Sequence, residues 1–187
     1  SVCDTAREAK RIIGNRELFV DGVAVKNPKA PIGVMDTVCI PKIKACYRML
    51  ISDKGKLALV PISEDEASWK ICRIEGKTKI KDGKIQLNLS GGRNMTIDKN
   101  DYKVGDSLKI DVKDQKVMGS YPLAQGSTAL IINGSLAGQV ETIAEYVVVK
   151  GPSENIVKFT NGIETVKKNV FIIGVGKSEI KIPEASE

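Results

Sequence analysis

The sequence predicts an α+β chain that is predominantly β. Three observations carry this. Apolar and polar residues alternate strictly in short runs such as Lys84-Ile85-Gln86-Leu87-Asn88-Leu89, the mark of a half-buried strand. Turn signals built on Gly, Asp and Asn recur about every 8–12 residues through the middle of the chain, which favours a closed or partly closed antiparallel β-structure. Helical spacing is confined to two short stretches, after Thr5 and after Ser63.

Taken in order, Thr5 and Glu8 stand at capping-box spacing, the hydroxyl covering the helix start and the carboxylate reaching back to it. Ala6, Ala9, Ile12 and Ile13 line up one apolar helical face, and Arg7, Lys10 and Arg11 fall together on another. Gly14-Asn15 reads as the helix stop, because both residues tolerate the left-handed conformation. Leu18 and Val20 alternate with Phe19, and Asp21-Gly22 signals a two-residue hairpin turn before Val23-Ala24-Val25. Pro28 and Pro31 break any helix, and Ile32 to Ile40 leads into a strand closed by Pro41.

Strand signals follow at Tyr47–Ser52 and Lys56–Ile62, around an Asp53-Lys54-Gly55 turn. Ser63 and Glu66 repeat the capping-box spacing and open a short helix expected to run to about Lys70. Ile71–Glu75 and Thr78–Ile80 are strand candidates, as are Ile85–Leu89, Arg93–Ile97 and Ser107–Val112. Lys77, Lys79 and Lys81 are spaced by two and are expected on one sheet face, where the bland alternative is a row of solvated lysines. Ala129–Ile132 reads as a buried strand, with further strands at Tyr146–Lys150, Asn155–Phe159 and Val170–Ile173. The units are drawn at 1–43, 44–123 and 124–175, with a tail at 176–187.

Net charge is +6, and its distribution points to a polyanionic partner. Residues 1–50 carry nine Lys/Arg against five Asp/Glu, residues 51–127 fourteen against eleven, and residues 128–187 six against seven. The basic excess therefore lies in the first two-thirds. No apolar run approaches the roughly 20 residues needed to span a bilayer, and a cytoplasmic protein without membrane contact is expected. Histidine is absent, which removes Ser-His-Asp and Cys-His catalysis and every imidazole metal site. The four cysteines form no CxxC pair, and Cys39 and Cys72 read as buried, reduced thiols. No metal, cofactor or small-molecule substrate is expected. Gly176-Lys177-Ser178 echoes the end of a P-loop, but Phe171 stands where the first glycine is required and Pro183 follows closely. Asp65 and Glu66 sit at a helix start, where they serve the helix dipole. No catalytic residue emerges.

The stretch from Thr5 to Val25 resembles the S-four-type RNA-binding domain, through Ala6-Arg7, the Gly14 turn and Val20-Asp21-Gly22-Val23-Ala24-Val25. In that family the basic helix face lies against RNA phosphates, which implies such contacts for Arg7, Lys10, Arg11 and Arg16. The domain usually begins with an earlier helix; the sequence starts at Ser1 without it, which implies truncation at the N-terminus. The family's glycine-aspartate pair is spread here to Gly33 and Asp36, implying a modified loop. The run Ala129–Ile132, Asn133-Gly134, Gly138 and Val140 resembles the KOW motif of small SH-three-like barrels. Ser135, Gln139, Glu141 and Thr142 stand where that motif usually carries basic residues and a second glycine, so the loop is expected to be structural or protein-facing.

Over almost its whole length the chain resembles the archaeal and eukaryotic small-subunit ribosomal protein family S-four-e. Besides the marks above, the resemblance rests on Pro31-Ile32-Gly33-Val34-Met35-Asp36, Lys70 to Thr78, Gly92-Arg93-Asn94 and Phe171-Ile172-Ile173-Gly174. Ser90-Gly91 departs from the family's histidine and acid. The resemblance implies a partial S-four-type RNA-binding unit, a central antiparallel β domain and an SH-three-like KOW barrel. It implies a structural constituent of the small (30S/40S) ribosomal subunit, bound to small-subunit rRNA beside neighbouring ribosomal proteins and contributing to assembly and translation. The RNA-facing set is then Arg7, Lys10, Arg11, Arg16, Lys26, Lys77, Lys79, Lys81, Arg93 and Asn94. Aromatic residues make up only 4%, which argues against a stacking platform and for recognition of backbone and shape. Two other readings are an RNA-modifying enzyme with an appended S-four-type domain, for which the chain supplies no catalytic unit, and a KOW-type protein adaptor in transcription or translation.

Overall fold

The computed structural model describes residues 3–182, apart from the side chain of Asp82; residues 183–187 of the expected tail, with Pro183, lie outside the described residues. The first element is helix α1, Ala6–Gly14. Thr5 Oγ1 accepts the Glu8 N–H at 3.3 Å, as capping predicts. The Glu8 carboxylate, however, accepts the Asp4 N–H at 3.1 Å, one residue earlier than expected. The helix stop also differs. Gly14 stays helical, Asn15 keeps φ −76°, and the left-handed residue is Arg16 at φ 59°. The Arg16 and Glu17 N–H groups donate to the carbonyls of Ile13 and Ile12. That pair of bonds is a Schellman motif with arginine in the usual glycine position.

The hairpin β1 (Phe19–Val20) and β2 (Val23–Ala24) turns on Asp21 and Gly22, both at positive φ, as a two-residue type I′ turn requires. Strands β3 (Thr37–Ile40), β4 (Ala45–Ile51) and β5 (Leu57–Ile62) complete a first antiparallel sheet, ordered β2-β1-β3-β4-β5. The hairpin's sheet thus runs on past residue 43. Register puts Cys39 directly opposite Cys46, Cα to Cα 4.2 Å, and the two form a disulfide. Cys39 is therefore not the reduced thiol expected of it, because strand signals do not reveal which residues face each other. Cys72 is a buried thiol whose pKa burial pushes up to about 11, so it stays protonated at neutral pH.

Helix α2 is Glu64–Ala67, with both capping-box bonds in place between Ser63 and Glu66. It ends before Lys70 because Trp69 and Lys70 already pair with the strand at 107–111. The two strand candidates after it are one long strand, β6 (Trp69–Lys79), bulged between Ile74 and Gly76. With β7 (Ile85–Leu89), β8 (Asn94–Ile97), β9 (Ser107–Asp111) and β10 (Val117–Tyr121) it makes a second sheet, β10-β9-β6-β7-β8. The third sheet, β14-β13-β12-β11-β15, comprises β11 (Ser127–Ile131), β12 (Val140–Val147), β13 (Ile156–Phe159), β14 (Glu164–Val166) and β15 (Val170–Val175). Strands β10 and β14 carry no clear alternation and are not among the expected strands.

One core joins the three sheets. Leu50 and Val60 from the first, Trp69 and Ile71 from the second, and Leu130, Phe171 and Ile173 from the third pack together. The alternate residues of the same strands face elsewhere: Cys72 and Ile74 into the core of the second sheet, Ala129, Ile131 and Ile172 into that of the third. Strands β11 and β15 are buried on both faces, as is the start of β6 at Trp69–Cys72, which is why these stretches read as largely apolar runs rather than alternating ones.

Candidate nucleic-acid interface

Helix α1 turns Ala9, Ile12 and Ile13 inward to half-burial and leaves Arg7, Lys10 and Arg11 exposed. Arg16 and Lys26 are exposed as well. Among the described residues, no ion pair uses Arg7, Lys10, Arg11, Arg16 or Lys26, so these charges remain available to an outside anion. Just beyond the helix, Lys42 binds Glu17 at 2.5 Å, a contact that holds the Glu17 carboxyl below its ordinary range.

The lysines of β6 behave differently. Lys77 and Lys79 share a face, opposite Leu87 and Ile85 of β7. Lys81 falls outside the strand, in a 3-10 turn at Lys81–Gly83, so the expected three-lysine face holds only two. Lys79 and Lys81 are exposed. Lys77 is half-buried and donates to Asn100 Oδ1 at 2.5 Å and to the Tyr102 carbonyl. Arg93 is also engaged internally, donating to Asp21 Oδ2 at 3.0 Å, while Asn94 is exposed.

Arg93 belongs to a cluster that sequence reasoning missed. The Lys70 ammonium, its side chain only 3% exposed, donates to Asp21 Oδ2 at 2.5 Å and to Asp36 Oδ1 at 2.8 Å. Asp21 Oδ1 takes the Thr37 N–H at 3.0 Å, and Asp36 Oδ2 takes the Gly33 N–H at 2.7 Å. Burial alone would raise the Asp21 pKa, but Lys70, Thr37 and Arg93 outweigh it and hold it low. Burial opposes the Lys70 charge in the same way, and its neighbours, Cys72, Asp21 and Asp36, raise its pKa overall. The hairpin turn of the first sheet is thereby clamped onto the second. Lysine inside the otherwise apolar run Trp69-Lys70-Ile71-Cys72 was the one signal of it. Arg48 is similarly buried, 2% exposed, donating to the Glu66 and Trp69 carbonyls and lying 4.3 Å from the Trp69 ring centre; burial lowers its pKa to about 10.

The loop at 133–138 leaves Asn133, Gly134 and Ser135 exposed and turns its end, Ala137-Gly138, onto the protein. A Cβ at Gly138 would lie 1.8 Å from the Ser52 carbonyl oxygen, and one at Gly55 would touch Ala137. The loop is seated on the turn between β4 and β5. Gly176-Lys177-Ser178 follows β15, and no helix follows it among the described residues.

Residues 43–117 match the model of the ribosomal family S4e. The chain is 38% identical over 186 residues to the small ribosomal subunit protein eS4 of Methanothermobacter thermautotrophicus, covering 97% of this chain and 76% of that protein. The chain belongs to the S4e family. The eS4 protein of Methanocaldococcus jannaschii is 37% identical over 96% of this chain and 77% of its own length. The fold agrees: the crystal structure of the 30S ribosomal protein S4e from Thermoplasma acidophilum matches with a TM-score of 0.82 and 34% identity, over 92% of this chain and 88% of that one. S4e is a structural, non-enzymatic family, in keeping with the expectation that the chain catalyses nothing. Within the S4e match lie Lys77, Lys79, Lys81, Arg93 and Asn94; the cations of α1 lie before it.

Proposed function

We propose that the chain is a structural constituent of the small ribosomal subunit, in the cytoplasm, and binds small-subunit rRNA mainly through phosphate contacts. The observation that carries this is the α1 face, where Arg7, Lys10 and Arg11 project together without internal ion pairs in a chain of net charge +6. Cations so placed neutralise phosphates and release counterions, while the rigid sheets behind them present the charges in a fixed shape. Arg16, Lys26, Lys79, Lys81 and Asn94 extend the contact, and Lys77 and Arg93, already bonded internally, serve first to shape the scaffold. The helix and hairpin within residues 1–43 are read as the S-four-type unit, residues 44–123 as the central β domain and residues 124–175 as the KOW barrel, with neighbouring ribosomal proteins as further partners. The seating of the 133–138 loop on Ser52 and Gly55 supports a structural role for it.

Affinity measured against salt, for small-subunit rRNA and for a non-ribosomal RNA of equal length, tests the proposal. A steep salt slope with preference for rRNA is expected. Absence of binding at low salt would overturn it.

A further inference from the structure

A cleft of about 290 Å³ runs between the second and third sheets, and no residue of α1 lines it. Arg73 and Glu75, beside the β6 bulge, line one side with Val104; Glu154, Lys167 and Lys168 line the other. We propose that this cleft receives one unpaired nucleobase of the bound RNA and prefers a base with an exocyclic amine. The inference rests on the RNA-binding reading above.

Size comes first. The volume lies at the lower end for small-ligand pockets, about 300 Å³, which suits a single base and excludes a helix or a duplex. The walls suit a flat, partly apolar guest. The Arg73 guanidinium is pinned by the carbonyls of Lys168 at 2.7 Å and Val170 at 3.1 Å, which holds its plane in place. Guanidinium planes stack on splayed-out bases. Lys167 lies with its stem across Gly105, where a Cβ would meet Lys167 Cε at 2.6 Å, and its ammonium donates to the Val104 carbonyl at 2.6 Å. Its methylenes and the half-exposed Val104 side chain supply the apolar surface.

Two carboxylates give the preference. Glu75 Oε1 accepts from Arg73 at 3.3 Å and Glu154 Oε1 accepts from Lys168 at 2.9 Å. The second oxygen of each takes no hydrogen bond among the described residues. A carboxylate repels phosphate, so these two serve no backbone contact. They accept from N–H donors, as Glu and Asp do from the cytosine amine. Adenine, guanine and cytosine carry such an amine; uracil does not. Lys168, its side chain 64% exposed, stands at the rim where the nucleotide's phosphate would pass.

The test uses the full chain and a set of RNA duplexes identical except for one bulged G, A, C or U, or none, with affinity read at one salt concentration. Bulged G, A or C is expected to bind roughly tenfold more tightly than bulged U, the worth of about one hydrogen bond to a charged group. Glu75→Gln with Glu154→Gln should erase most of that ratio, in which any general change in net charge cancels. Val104→Trp, which fills the cleft, should remove the advantage of every bulge over the plain duplex and leave the salt slope unchanged. Equal binding to all bulges, or a preference that survives both variants, overturns the inference while leaving the RNA-binding reading intact. Failure of the wild-type chain to bind any of these RNAs overturns both.

Discussion

Gly138 shows how much a single position can carry. Its φ is +95°, and its missing Cβ leaves room for the Ser52 carbonyl. Gly138→Ala adds both left-handed strain and a clash with backbone that has no soft side chain to move. The expected loss is about 2 kcal/mol, read from urea melts at unchanged m-value. Gly83→Ala is the control, since its φ of +72° imposes the strain while nothing lies near its Cβ, and it should cost less. Arg48 makes the complementary point. A guanidinium that sequence reading would place on a surface is buried against Trp69, tying the end of α2 to β4. Neither role is written in residue type, because each depends on a partner tens of residues away or more.

At the scale of elements, the buried cluster of Asp21, Asp36, Lys70 and Arg93 joins the β1–β2 hairpin and the loop before β3 to β6 and the turn before β8. Lys70→Met leaves Asp21 and Asp36 without their shared cation and is expected to cost about 3 kcal/mol, the lower end for breaking a buried pair, since Arg93 still reaches Asp21. The cluster also sets a pH response. Asp21 has a lower pKa folded than unfolded, so its contribution is whole above about pH 4 and is lost as pH falls through the native value. Lys70 has a raised native pKa, so its contribution is whole below about pH 10 and is lost as pH rises through that value. Asp21→Asn should therefore lower stability at neutral pH and flatten the acid limb of the stability profile. An acid limb unchanged in that variant would show that Asp21 is not what titrates. Most elements are legible in the sequence: the caps at Thr5 and Ser63, the Asp21-Gly22 turn and the alternating β7 all depend on neighbours along the chain. The Cys39–Cys46 register, the length of β6 and strands β10 and β14 depend on pairing across the sheet, which local pattern does not encode.

Across the whole molecule, three sheets share one core, and two populations stand out among the cations. Lys70, Lys77, Arg48 and Arg93 are bonded internally, whereas Arg7, Lys10, Arg11 and Arg16 are exposed and outside every internal ion pair of the described residues. Sequence reading finds the second population readily, because helical spacing alone groups those cations. It does not separate Lys77 from Lys79, which differ only in what lies beside them in the fold. The central claim is that the exposed population on α1 holds rRNA phosphates, and the most direct test replaces Arg7, Lys10 and Arg11 together with glutamate. Helical content by circular dichroism should be retained. The log–log salt slope for small-subunit rRNA should become shallower by about 0.7–0.9 for each phosphate no longer neutralised, with affinity falling throughout. An unchanged slope and affinity in a folded triple variant would contradict the assignment and move the RNA-binding surface off this helix.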